Sequence, residues 1–147
     1  MWYAILGAVL LAGDQILKYW VVTHLAVGES APFLPGFMQL TRLHNYGAAW
    51  SSLSGRTVLL VVFTAVLLAA VALLLIKKVV RHWTGITACT LILSGGIGNI
   101  IDRIVHGYVV DMFDLQLFSY PVFNLADCCV VVGAILGGIY YLSLIHI

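Results

Sequence analysis

The chain alternates long stretches without charge and short connections that hold nearly all of it. "TVLLVVFTAVLLAAVALLLI", Thr57–Ile76, is 20 residues with no charged side chain, about 30 Å as a helix and so as long as a bilayer core is thick. Residues 84–101 and 128–145 form two further stretches of 18 uncharged residues each. A fourth, 1–22, is interrupted by Asp14 and Lys18. The pattern predicts transmembrane helices over 1–22, 57–76, 84–104 and 124–145, together one membrane domain of 147 residues. A cleaved signal peptide is the rival reading of the first stretch. It is set aside because the stretch lacks a basic start and runs into "GDQILKYW" rather than a small-residue cleavage site.

The connections set the orientation. The turn "KKVVRHW" between the second and third helices holds three of the seven basic residues, which marks it as cytoplasmic by the positive-inside rule. Both termini then face the cytoplasm and the two longer connections face outward. Segment 24–56 carries Pro32, Pro35 and several glycines between short apolar runs such as "GFMQLTRL", which predicts a small strand-rich extracytoplasmic lobe between helices 1 and 2. The expected fold class is therefore an all-α integral membrane protein with that lobe attached.

Composition agrees. Hydrophobic residues make up 63% and charged residues 9%, with a mean hydropathy of +1.08, against roughly 25% charge in a soluble domain. A net charge of +1 leaves no broad basic patch for nucleic acid. Cys89, Cys128 and Cys129 lie in apolar runs without CxxC spacing and read as small buried side chains. Ser94, Gly98, Gly133 and Gly137 stand at small-xxx-small spacing, which lets helices approach closely.

Against this background the acids stand out. Asp14, Asp102, Asp111 and Asp127, four of six, fall in or at the ends of apolar stretches, where a carboxylate costs about 2.5–3.5 kcal/mol at mid-bilayer. Asn99, Asp102, Arg103 and His106 recur at i, i+3, i+4 and i+7, one face of a helix. Asn124 and Asp127 share a face at the start of the last helix, and Asp14 with Lys18 form an acid-first i, i+4 pair. All three clusters lie toward the outer side. Asp14 with Lys18, and Asp102 with Arg103, read equally well as self-neutralising structural pairs. Asp111 and Asp127 have no basic neighbour within four residues, so function is the stronger reading for them. Asp114 reads as a solvated loop acid.

Asp111 and Asp127 are 16 residues apart and can meet if the helices they flank are neighbours. Two carboxyl groups about 3 Å apart share one proton. One can then take a proton from water while the other polarises a carbonyl, which suits peptide hydrolysis without a metal. Ser94 and His106 are about 18 Å apart along one helix, too far for nucleophile and base. Ser51 or Ser52 with His44 lacks a nucleophile-elbow pattern. Cys128 with His106 places the thiol in apolar surroundings that raise its pKa. No HExxH-like spacing supports a metal site.

The stretches "DQILKYW" (14–20), "NYGAAWS" (45–51), "GGIGNIIDR" (95–103), "GYVVDMFD" (107–114) and "FNLAD" (123–127) together resemble the lipoprotein signal peptidase (signal peptidase II) family, in the family's order and over most of the chain. The resemblance implies a four-helix aspartic endopeptidase of the bacterial cytoplasmic (inner) membrane. It cleaves diacylglyceryl-modified prolipoproteins before the lipidated cysteine and needs no cofactor. It implies Asp111 and Asp127 as the catalytic pair, and Asn45, Asn99, Arg103 and Asn124 as substrate-binding residues. Asp14, Lys18 and Asp102 are implied as supporting residues. Membrane lipids and globomycin-like cyclic peptide inhibitors are the other implied partners. Trp50 departs from the family, where phenylalanine is common. Two other classes compete. A proton- or cation-coupled transporter would carry acids near the midplane of several helices and an internal repeat, and neither is seen. A structural membrane subunit would not need uncompensated aspartates at two helix ends.

Overall fold

The computed structural model describes residues 1–47 and 55–145; Trp50, Ser51 and Ser52 lie outside them. Four helices are long and apolar enough to cross a membrane: α1 (Trp2–His24), α2 (Thr57–Ile76), α3 (Trp83–His106) and α4 (Leu125–Ile145). Their ends follow local chemistry. His82 caps α3 through Nδ1, which accepts the Thr84 N–H at 3.3 Å. Gly107 closes α3 at φ +82°, a left-handed conformation that glycine adopts without strain.

Strands β1 (Ser30–Leu34), β2 (Met38–Asn45) and β3 (Val109–Leu115) form an antiparallel sheet in that order. The expectation placed the strand-rich lobe between helices 1 and 2. Two strands do lie there, but the third comes from the connection between α3 and α4. β3 has no clean apolar–polar alternation, because its first four residues are buried whichever way they point. Asp114 is corrected with it: it lies in β3, and its Oδ2 accepts hydrogen bonds from Gln39 at 2.7 Å and Thr41 at 3.0 Å.

The sheet sits over the end of the bundle where α1 and α3 finish. Val110 and Met112 of β3 pack with Val21 and Leu25 at the end of α1. Arg42 of β2 donates to the carbonyls of Val22 at 3.0 Å and Leu25 at 2.9 Å, a cation placed on a helix C-terminus. α3 is the central helix, in contact with α1, α2 and α4. A Cβ added at Gly95 would sit 2.3 Å from the Ala126 carbonyl oxygen, so α3 and α4 meet backbone to backbone beside the start of α4. Gly98 makes room for a carboxylate: its missing Cβ would lie 2.7 Å from Asp14 Oδ2.

Candidate active site

The bundle's polar side chains fall into two linked layers. The deeper one centres on Lys18, 3% exposed. Its Nζ lies 2.8 Å from Asp14 Oδ2, 2.9 Å from Asp102 Oδ2 and 3.0 Å from Asn99 Oδ1. An ammonium has three N–H donors, and all three are used. Asp102 therefore pairs with Lys18 of α1, not with its neighbour Arg103. Asp14 and Lys18 are buried inside the bundle, and their pair extends to Asp102. Gln15, which sequence reasoning passed over, donates to Asp14 and Asp102 at 3.2 Å each. Its signal was a lone amide beside Asp14 in an otherwise apolar segment.

Each acid of this layer also holds a backbone amide. Asp102 Oδ2 accepts the Val110 N–H at 3.1 Å, and Asp14 Oδ1 accepts the Ala126 N–H at 2.9 Å. Val110 precedes Asp111 and Ala126 precedes Asp127. The Lys18 cluster thus sets the backbone from which each of those carboxyl groups projects.

The second layer is the carboxyl pair. Asp111 is 1% exposed; its Oδ2 accepts from Asn45 Nδ2 at 3.0 Å and its Oδ1 from Asn124 Nδ2 at 2.7 Å. The strand register brings Asn45 there: Leu43 stands opposite Asp111, and Asn45 is two residues further along the same face. Asp127, in the first turn of α4, accepts from Asn99 Nδ2 at 2.8 Å. It also closes a reciprocal cap with Asn124: Asp127 Oδ2 accepts the Asn124 N–H at 3.2 Å, and Asn124 Oδ1 accepts the Asp127 N–H at 2.8 Å. Asp127 thus has a structural role at the helix end beside any chemical one. Asn124 touches both aspartates and, through Asn99 at 3.2 Å, the Lys18 layer.

Burial first, and then the negative charge of Asp127, push the Asp111 carboxyl up to about 7, against the pull of the two asparagine hydrogen bonds and Lys18. Burial and the neighbouring carboxylate thus hold Asp111 toward its protonated form. One cavity of about 670 Å³ contains Asn45, Asn99, Arg103, Asp111 and Asp127. Its apolar wall is made by Val130 and Val131 of α4 and by Tyr120, Val122 and Phe123 before it. Arg103 reaches across to the Gly47 carbonyl at 2.9 Å, tying α3 to the chain after β2. His106, expected on the same helix face, is exposed and stacks on Tyr108 with ring centroids 5.7 Å apart. Ser94 donates to the Leu91 carbonyl at 3.0 Å and takes no part in this cavity. Among the described residues, no three His, Cys, Asp or Glu side chains gather as metal ligands do.

Fold and site together define a membrane protein of four candidate spans with a carboxyl pair held by asparagines at one end of its bundle. The sequence model of the family described as Signal peptidase (SPase) II matches residues 6–143, and the chain belongs to that family. The lipoprotein signal peptidase of Enterococcus faecalis is 41% identical over 138 residues, 94% of this chain and 86% of its own length. That of Lactiplantibacillus plantarum is 40% identical over 136 residues, 92% of this chain and 91% of its own. A bacterial membrane enzyme solved by the in meso method at 2.3 Å superposes with a TM-score of 0.91 at 32% identity, over 96% of this chain and 87% of that one. A second, solved at 1.9 Å, gives 0.87 at 34% identity, over 95% and 92%.

Proposed function

We propose that this chain is an aspartic endopeptidase that removes the signal peptide from diacylglyceryl-modified prolipoproteins, cutting before the lipidated cysteine. The observation that carries it is the carboxyl pair itself: Asp111, raised to about 7, and Asp127 line one cavity with an apolar wall. In this mechanism Asp127 is ionised and takes a proton from a water molecule. The water oxygen attacks the scissile carbonyl carbon while protonated Asp111 donates to the carbonyl oxygen. The tetrahedral intermediate collapses as the C–N bond breaks: the leaving nitrogen takes the proton from Asp127, and one hydroxyl of the intermediate returns its proton to Asp111, restoring the pair. Asn45, Asn99 and Asn124 orient the two carboxyl groups, and Arg103 braces the cavity or positions the peptide. No step requires a metal or a covalent intermediate.

The sheet and the cavity belong to the extracytoplasmic side, with both termini and the "KKVVRHW" turn in the cytoplasm. The lipid of the substrate stays in the bilayer, so confinement to the membrane surface supplies part of the positioning. The test is to incubate the purified protein with a diacylglyceryl-modified prolipoprotein and with its unmodified precursor. Only the first should be shortened, and Asp127→Asn should stop it. Cleavage that survives in a well-folded Asp127→Asn variant would refute the mechanism.

A further inference from the structure

A second cavity, of about 680 Å³, lies at the opposite end of the bundle from the carboxyl pair. One wall is the face of α1 carrying Ala4, Gly7 and Leu11; the other is the face of α3 carrying Ile86, Leu93 and Ile97. These spacings each follow one side of a helix. The serine and threonine hydroxyls along its α3 wall are already bonded to their own helix: Thr90 Oγ1 donates to the Ile86 carbonyl at 2.8 Å and Ser94 to that of Leu91 at 3.0 Å. Between its two helix walls the groove is therefore mainly apolar, with the Tyr3 ring also among its lining. Lys78 and Arg81, both exposed, stand at its end, and among the described residues no carboxylate lines it.

Its depth matches one leaflet. From Ile86 to Ile97 the α3 wall rises about 16 Å, roughly half the ~30 Å hydrocarbon core. The charges sit where that leaflet's headgroups lie. A basic peptide would meet two like charges there, and a zwitterionic lipid offsets its phosphate with its own ammonium. We propose that this groove binds an anionic phospholipid, with an acyl chain between α1 and α3 and the phosphate held by Lys78 and Arg81. The site is separate from the catalytic cavity, which uses Gly96, Asn99 and Arg103 on another face of α3.

The test is native mass spectrometry of the full chain released from micelles holding equimolar phosphatidylglycerol and phosphatidylcholine of identical acyl chains. One phosphatidylglycerol should be retained with a preference of roughly 30-fold, the amount two basic residues supply at an anionic surface. The double variant Lys78→Gln, Arg81→Gln should bring that ratio near one. Ala4→Phe with Ala8→Phe fills the groove and should lower retention of both lipids about tenfold. All four positions are exposed, and thermal unfolding in the same micelles checks that the variants remain folded. Equal retention of both lipids by the parent overturns the proposal, as does undiminished phosphatidylglycerol on the phenylalanine variant. Two other results also overturn it, each with lipid retention unchanged in the phenylalanine variant: slowed prolipoprotein cleavage identifies a peptide occupant, and a lost dimer identifies a second copy of the chain.

Discussion

Asp111→Asn should stop cleavage and at the same time stabilise the protein, with a gain that depends on pH. The Asp111 carboxyl titrates at about 7 when folded against 3.8 when free, so the folded state holds its proton more tightly than the unfolded state. Stability from this group is full below about pH 4 and is lost as pH rises through about 7. That difference corresponds to about 4 kcal/mol of stability. Asparagine removes that loss but brings its own. Asn45 and Asn124 both donate to Asp111, and an amide has only one oxygen to receive them. Asn45 is not free to turn over, because its Oδ1 accepts the Gly47 N–H at 2.9 Å. One buried donor left facing another costs about 1–3 kcal/mol. The net gain is therefore about 1–3 kcal/mol at pH 8. At pH 5 the parent has lost less than half of the full amount, so the two proteins should unfold at nearly the same temperature. Thermal unfolding in detergent at pH 5 and pH 8, beside a cleavage assay, measures both effects. A variant less stable than its parent at pH 8, or a stability difference that does not change with pH, refutes the argument. Asp114→Asn, which changes a carboxylate outside the cavity, should keep most activity.

Lys18→Met should destabilise the protein by about 3–5 kcal/mol in thermal unfolding, since it leaves Asp14 and Asp102 buried without their cation. Adding Asp14→Asn and Asp102→Asn to that variant should recover a substantial part; no recovery would show that the loss is not electrostatic. Gly95→Ala puts a methyl group against the Ala126 carbonyl, and should cost about 1–3 kcal/mol and lower kcat by moving Asp127. Normal turnover in Gly95→Ala would mean that α4 can shift without disturbing the pair. Arg103→Lys should lower activity partially, because lysine lacks the planar fork that reaches Gly47 and Asn99. Single cysteines at positions 78 and 36, in a background without native cysteines, should label from the cytoplasmic and the outer side respectively; outside labelling at 78 reverses the proposed orientation.

What the sequence determined by itself is whatever depends on a residue's own chemistry or its neighbours along the chain. An uncharged run the length of a bilayer has few alternatives to a helix, so the α2 bounds, Thr57–Ile76, were legible. The cost of a carboxylate in such surroundings singled out Asp14, Asp102, Asp111 and Asp127, and helical spacing put Asn124 beside Asp127. Partner choice was not legible. Spacing along α3 offered Arg103 to Asp102, but the cation that Asp102 meets is Lys18, 84 residues away on α1. The close approach permitted by Gly98 lets the Asp14 carboxylate fit between the helices. β3 was missed for a related reason: Val110 and Met112 are buried against α1 while Val109 and Asp111 are buried toward the cavity, so both faces are covered and the alternation that marks a strand is lost. The tertiary structure likewise decided that Asp102 and Asp14 hold the amides just before Asp111 and Asp127. Inside an apolar bundle each buried polar group must find a partner among the groups that packing brings near, and those nearest in space are seldom those nearest in sequence.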